Sequence, residues 1–207
     1  MVCLTPSLYP FNIGENMTET SKQRGLVIVD AWKNLLSFDA EQFPSLSDQL
    51  HTFGSYLNEV CRIEREKGTL IIHSYLDRKA EEWAFSAWEP PEPMDEIEIC
   101  PEDFVAAGGT NIRLQVLDEL GVELGELYWC GFHFGRCVHE RARQTDGEDA
   151  NIVLNLTQIF PADLWRERMQ GQGEGWEWIQ CGDFNYFLWG HQEFERITVL
   201  GLTSKRS

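Results

Sequence analysis

Three short segments of this chain are rich in apolar residues, and they span residues 26–30, 69–75 and 127–130. The first is continuously apolar up to the carboxylate of Asp30, where a half-buried strand would alternate apolar and polar positions. Continuous apolarity over four to eight residues is typical of strands that are buried on both faces, as in a parallel sheet. The three runs therefore predict the central strands of a mostly parallel sheet.

Helical patterns separate these runs. Residues 45–67 predict an amphipathic helix that ends at Gly68, because apolar side chains recur there at steps of three and four: Leu46, Leu50, Phe53, Leu57, Val60 and Ile63. A second helix is predicted over residues 110–120, with Thr110 as its N-cap and Gly121 after its end. Strands that alternate with helices over short connections predict an α/β fold, in which helices flank both faces of the sheet as three layers.

The remaining segments complete the predicted organisation. Further strands are expected at residues 97–99 and 151–156, and helices at residues 137–145 and 161–169. Residues 1–24 are interpreted as an N-terminal leader and residues 25–207 as a single domain. From about residue 170 the chain is an aromatic-rich C-terminal extension. It either forms a hairpin from residues 176–181 and 196–202 or packs against a neighbouring subunit.

The charge and cysteine content restrict the class of protein. The 207-residue chain has 34 acidic and 17 basic residues, so its net charge of −17 argues against a nucleic-acid partner. No apolar run is long enough to span a membrane, and the first 25 residues lack the pattern of a secretion signal. The six cysteines contain no Cys-x-x-Cys pair. We therefore expect reduced thiols in a cytoplasmic protein that acts on a small molecule.

Cys137 is the residue most suggestive of chemistry. It follows a predicted strand and a tight turn, and it opens the next predicted helix. A thiol at a helix N-terminus faces unpaired backbone N–H groups and the positive end of the helix dipole, which favour the thiolate. The same N–H groups stabilise an oxyanion that forms when the sulfur attacks a carbonyl group.

Other candidate residues fall at the same edge of the predicted sheet. Ligands of open α/β folds gather at the carboxyl ends of the strands, where Asp30, His73 and the turn before Cys137 should meet. We therefore expect Cys137 and Asp30 to be catalytic. The neighbouring side chains expected to contact the substrate are Trp32, His73, His133 and Phe134.

These residues together resemble the isochorismatase-like cysteine hydrolase family. The strand that ends at Asp30 looks like the family's first motif, and Gly131 followed six residues later by Cys137-Val138 looks like its last. The segment that begins at Gly109-Thr110 is similar to the family's middle element. The resemblance covers roughly residues 25–160. It implies a three-layer α/β fold and hydrolysis of a small amide, carbamoyl or related C–N bond.

The resemblance also implies a triad of aspartate, lysine and cysteine, of which the lysine is missing here. In the family this lysine precedes the Gly-Thr segment by about ten residues, in the region that reads here as residues 99–103 and contains none. Without a cation, a carboxylate beside a thiolate raises one or both pKa values. The alternative sources of positive charge left open by the sequence are Arg136, Arg113, Arg78 and His133.

Further departures from the family concern the pocket and the metal. Trp32 and Phe134 stand where the family often has Gln and Thr, so we expect a bulkier and less polar pocket. Nicotinamidase-type members hold a metal through a histidine cluster after the second strand, and Asp77-Arg78-Lys79-Ala80 offers no histidine there. We therefore expect neither a metal nor another cofactor.

Two other functions remain open from the sequence. The missing lysine and the aromatic substitutions favour a non-catalytic descendant of the fold that serves as a binding or assembly module. A vinyl-ether hydrolase working by acid catalysis through Asp30 alone is the third possibility. The eight tryptophans include several in a long surface loop expected over residues 77–95 and in the C-terminal segment. Together with the resemblance they favour a homo-oligomer.

Overall fold

The computed structural model describes residues 22–31, 44–75, 97–106, 111–132, 134–135, 137–158, 184–190 and 192–198, and only the backbone of 44–50. Several predictions fall outside these ranges. They concern most of the leader, the helix at residues 161–169 and the hairpin strand at residues 176–181.

A seven-stranded sheet forms the centre of the molecule. Its strands are β1 (Gln23–Val29), β2 (Leu70–Ser74), β3 (Phe104–Ala106), β4 (Leu124–Phe132), β5 (Asn151–Gln158), β6 (Asn185–Gly190) and β7 (Glu193–Ile197). Their spatial order is β3-β2-β1-β4-β5-β6-β7. All neighbours pair in parallel except β6 and β7, which are antiparallel. The prediction of a mostly parallel sheet is confirmed.

Helices cover the two faces of this sheet. The described helices are α1 (Pro44–Glu66), α2 (Ile112–Leu120) and α3 (Cys137–Asp146), and a short 3₁₀ turn (Gly147–Asp149) follows α3. Side chains of α1 pack on one face, in a core with Leu26, Ile28 and Ile71. Side chains of α2 and α3 pack on the other face, against Val27 and Val29. Alternate residues of β1 thus point into two cores, which explains its continuous apolarity.

The structure differs from the predicted elements at three places. Residues 97–99 are not a strand, and the edge strand β3 forms instead at Phe104–Ala106, directly before the Gly-Thr segment. The N-cap of α2 is Asn111, whose side chain accepts a hydrogen bond from the N–H of Arg113, while Gly121 ends the helix as predicted. β1 begins at Gln23, inside the range interpreted as the leader.

The C-terminal segment contributes two strands to the sheet. β6 pairs with β5, so that Asn185 lies opposite Asn151 and Tyr186 lies opposite Ile152. β7 folds back on β6 as a hairpin. The hairpin therefore joins the main sheet, although its strands differ from those predicted. Among the described residues, no helix is both long and apolar enough to cross a membrane.

Candidate active site

The candidate site lies where β1, β2 and β4 end. Val29 pairs with Ser74 on one side and with Gly131 on the other, so the carboxyl ends of all three strands lie side by side. Asp30 follows directly after β1, and its N–H donates a hydrogen bond to the carbonyl of Ser74 at 2.9 Å. Its side chain is buried, with 2% of the residue exposed.

Asp30 has an uncommon backbone conformation. Its φ of 54° lies in the left-handed region, which aspartate tolerates better than most residues. Such conformations are held in place by surrounding structure and cluster at active sites. Here the hydrogen bond from the N–H of Asp30 to the carbonyl of Ser74 holds the residue in place directly after the end of β1.

Gly131 allows β4 to approach β1 next to Asp30. Its φ is 103°, and a Cβ atom placed on it would lie 2.4 Å from the carbonyl oxygen and 2.6 Å from the nitrogen of Val29. Backbone atoms cannot move aside as a flexible side chain can. The glycine of the Gly-x5-Cys pattern is therefore required by packing between the two strands that carry the candidate catalytic residues.

The turn after β4 delivers Cys137 to the first position of α3. The N–H of Phe134 donates to the carbonyl of Gln158 at 2.9 Å, and the N–H of Gly135 donates to Nδ1 of His139 at 3.0 Å. Cys137 is 9% exposed and forms no disulfide. The predicted position of the thiol at a helix N-terminus agrees with this structure.

His139 stabilises this turn from within α3. Because Nδ1 accepts a hydrogen bond, the ring proton sits on Nε2, which lies 3.3 Å from the hydroxyl of Tyr186. Burial, followed by the charge of Arg143, lowers the pKa of His139 to about 4. His139 is therefore neutral near pH 7. Phe134, expected to contact substrate, is half-buried and packs edge-on against this imidazole ring at 4.7 Å.

A buried arginine lies on the same helix, one turn after the cysteine. Arg141 is fully buried, and both its Nε and its Nη2 donate to Oγ of Ser74, at 3.2 and 3.0 Å. Its Nη1 donates to Gln144. Burial lowers the pKa of Arg141, and the negative charges of Asp30 and then of Glu140 oppose that shift. The charge of Asp30 therefore favours the protonated form of Arg141 in its buried position.

The cations considered from the sequence lie elsewhere or cannot be placed. Arg113 binds Asp146 and the carbonyls of Leu124 and Gly125, at the beginning of β4 and so at the opposite edge of the sheet. Arg78, Arg136 and His133 lie outside the described residues, as does Trp32.

His73 belongs to a separate polar cluster. It is adjacent to Ser74 along β2, so its side chain points to the other face of the sheet, where α1 packs. Its Nε2 lies 3.1 Å from Asp103, which also accepts two hydrogen bonds from Arg65, at 2.7 and 2.6 Å. The structure does not bring the His73 side chain to the face that carries Cys137, and its contact with substrate stays a prediction.

Asp103 lies in the region where the resemblance places the missing lysine. Burial raises its pKa, but hydrogen bonds from His73, Arg65 and the N–H of Cys100 outweigh that effect and lower the pKa to about 2. This residue is thus a buried anion that belongs to the face covered by α1. It supplies no positive charge to Asp30.

The other described cysteines have the properties of structural thiols. Burial raises the pKa of Cys61 to about 12 and raises the pKa of Cys130 well above its usual value. Burial is also the first cause of the raised pKa of Cys100. The two buried residues, Cys61 and Cys130, are therefore suitable internal references for the reactivity of Cys137. Within the described ranges, no group of three or more His, Cys, Asp or Glu residues is arranged to hold a metal ion.

Arg141 was missed by the sequence analysis, although a signal for it was present. Cys137, Val138, Arg141 and Ala142 occupy positions i, i+1, i+4 and i+5, which lie on one face of α3, and all four are buried. A charged residue on an otherwise apolar helix face predicts a buried ion pair.

The sequence matches no protein-family profile, and no curated protein is significantly similar to it. Among solved structures, the fold is similar to an isochorismatase family protein from Desulfovibrio vulgaris, with a TM-score of 0.49 and 13% identity over 72% of this chain and 88% of the other. A second such protein, from Burkholderia thailandensis, has a TM-score of 0.45 and 13% identity over 73% and 87%. An isochorismatase from Pseudomonas putida has a TM-score of 0.45 and 20% identity over 72% and 81%.

Proposed function

We propose that this protein is a cysteine-dependent hydrolase that cleaves a C–N bond in a small amide, carbamoyl or imide-type substrate. Cys137 is the nucleophile and Asp30 is the general base. The observation that carries the proposal is the placement of Cys137 at the N-terminus of α3 directly after β4, while Asp30 ends the neighbouring strand β1. The resemblance of both motifs to the isochorismatase-like family supports it.

The proposed reaction proceeds in two halves. Asp30 takes the proton of the Cys137 thiol, and the sulfur attacks the substrate carbonyl to give a tetrahedral oxyanion, which the N–H groups of the first turn of α3 stabilise. The C–N bond then breaks, and the proton on Asp30 passes to the leaving nitrogen. Water next attacks the thioester and gives a proton to Asp30. The C–S bond breaks, the carboxylic product leaves, and the thiol regains that proton.

Substrate selection in this proposal depends on the residues around the thiol. Trp32, His133 and Phe134 are the proposed contacts, with His73 as a fourth candidate. Bulky aromatic groups at two of these positions favour a flat or largely apolar substrate. A homo-oligomer in the cytoplasm, with neither metal nor other cofactor, is part of the same proposal.

A non-catalytic binding module is the second candidate function. Residues 99–103 contain no lysine, and the near-complete burial of Asp30 at 2% exposure favours this alternative. In this alternative, the Asp30 carboxylate and the Cys137 thiol serve only to shape a binding site.

The pH dependence of alkylation by iodoacetamide separates the two functions. The rate at Cys137 is followed by peptide mass spectrometry, with Cys61 and Cys130 as unreactive references. An activated nucleophile gives a midpoint well below the free-cysteine value of about 8.5. A midpoint at or above that value, or no alkylation, contradicts the hydrolase. Ammonia release from a panel of small primary amides, with Cys137→Ser as the control, then tests turnover.

A further inference from the structure

We infer that Arg141 supplies the positive charge that balances Asp30 and the Cys137 thiolate, in place of the lysine that the resemblance implies. This inference rests on the proposed function, and it makes Arg141 a positioning residue of the site. It differs from the family pattern in the type of cation and in the element that carries it. The charge comes from α3 itself, one turn beyond the nucleophile.

The geometry of α3 directs the guanidinium toward the thiol. Residues four apart lie on the same face of a helix, and side chains lean toward its N-terminus. Arg141 is four residues after Cys137 and both are buried on the face that packs against the sheet. The side chain of Arg141 therefore extends from the same helix face as the sulfur, back toward the turn that Cys137 begins.

Ser74 fixes the position of the guanidinium at the sheet edge. Its hydroxyl accepts hydrogen bonds from Nε and Nη2, and its carbonyl accepts the hydrogen bond from the N–H of Asp30. One residue at the end of β2 therefore holds both the cation and the backbone of the anion. This arrangement sets the distance between the two charges through rigid strands and not through a flexible loop.

Charge balance also pairs Arg141 with Asp30. A buried guanidinium is costly unless a negative charge lies near it. Among the described residues, three carboxylates are almost fully buried. Glu64 bonds Lys67 and Asp103 bonds Arg65, each as an ion pair. Asp30 is the third, and its charge is the first of the two that act on Arg141.

An arginine in this role has a consequence that a lysine lacks. A guanidinium does not lose its proton in the pH range of a folded protein, whereas a buried lysine can. The cation next to Asp30 therefore persists at alkaline pH. A profile of Cys137 reactivity should show no alkaline step that arises from loss of this charge.

The test compares alkylation midpoints of Cys137 in matched variants. In Arg141→Met we expect the midpoint to rise by about one to two pH units relative to the unmodified protein. Arg141→Lys keeps a cation, so its midpoint should lie closer to the unmodified protein than to Arg141→Met. Arg143→Gln, which removes an exposed charge from the same helix, is the control and should leave the midpoint unchanged.

Strands β1, β4 and β5 pack against α3, and Tyr186 of β6 contacts its His139. Besides Asp30 and Arg141, the titratable side chains on or in contact with this helix are His139, Glu140, Arg143, Asp146 and Tyr186. They are identical in the three proteins that decide the test. A folded Arg141→Met variant with an unchanged midpoint overturns the inference. The absolute midpoint of the unmodified protein tests the proposed hydrolase separately, so the two results are distinguishable.

A second pair of variants covers the case in which Arg141→Met does not fold. In an Asp30→Asn background, removal of Arg141 no longer leaves a buried carboxylate without its cation. We expect the midpoint of the double variant to lie above that of Asp30→Asn alone. Equal midpoints in these two proteins also overturn the inference. Circular dichroism and thermal unfolding establish which variants are folded.

Discussion

The guanidinium of Arg141 and the hydroxyl of Ser74 form a double hydrogen bond between residues that are 67 positions apart in the chain. The contact ties helix α3 to the end of strand β2, across the strand that ends at Asp30. Both residues are fully buried. It therefore links the three segments that carry the candidate site.

Ser74→Ala should destabilise the fold through this contact. The substitution removes the acceptor of two hydrogen bonds from a buried charged donor, which should lower the free energy of unfolding by about 2 kcal/mol. Urea unfolding followed by circular dichroism measures the change. Ser55→Ala, at an exposed position of α1, is the matched control and should stay within about 0.5 kcal/mol of the unmodified protein. Equal stability of the two variants would contradict the prediction.

The central fold could be predicted because its sequence signals are local. Continuous apolar runs identified β1, β2 and β4, since each must bury both faces, and periodic apolar residues identified α1. The edge strand β3 was misplaced because Phe104–Ala106 is too short to carry a pattern. The register of a three-residue edge strand is set by its pairing with the neighbouring strand. The periodicity of the sequence gives no information about that pairing.

The candidate site was predicted less completely than the fold. Asp30 and the turn before Cys137 could be placed at one edge because they directly follow strands. The side-chain partners depend on which face each residue points to. His73 and Ser74 are adjacent in sequence and serve opposite faces, one with Asp103 and the other with Arg141. A shift of one residue in the predicted register of β2 would exchange the environments of the His73 and Ser74 side chains.

Gly131→Ala should destabilise the protein far more than an alanine at an ordinary loop glycine. The new Cβ would lie 2.4 Å from the carbonyl oxygen of Val29, and the φ of 103° is itself unfavourable for alanine. We expect a loss of about 3 kcal/mol or more in urea unfolding. Gly147→Ala is the control, because its φ is 72° but nothing lies within 4 Å of its Cβ position. The control should lose only about 1 kcal/mol. Similar losses in both variants would show that steric contact with β1 is unimportant.

His139 should make the fold less stable at mildly acidic pH. Its pKa is about 4 in the folded protein and 6.5 for the unperturbed side chain, so between these values the unfolded chain binds more protons. The stabilisation is complete above pH 6.5 and is lost as the pH falls toward 4, below which the loss levels off. The total is on the order of 3 kcal/mol.

His139→Asn isolates this contribution. An asparagine oxygen can accept the hydrogen bond from the N–H of Gly135, and it does not titrate. The variant should therefore lose less stability than the unmodified protein between pH 6.5 and pH 4, measured by urea unfolding at several pH values. Identical pH dependence in the two proteins would show that His139 is not buried in its neutral form.

Asp103→Asn should damage stability without changing the chemistry of Cys137. The substitution leaves the guanidinium of Arg65, which is 15% exposed, without its carboxylate, and breaking such a pair costs about 3–4 kcal/mol. Because Asp103 lies on the face covered by α1, the alkylation midpoint of Cys137 should not move. Glu102→Gln, an exposed neighbour, is the control for loss of one negative charge.

The paired measurement on Asp103→Asn distinguishes two roles for the polar cluster around His73. If His73 and Asp103 act only within the core, unfolding free energy falls and thiol reactivity is constant. A shifted midpoint in a folded variant would mean that the cluster reaches the candidate site. In that case the sequence-based expectation that His73 contacts the substrate would gain support. The conclusion that the His73 cluster and Cys137 act independently on opposite faces of the sheet would be wrong.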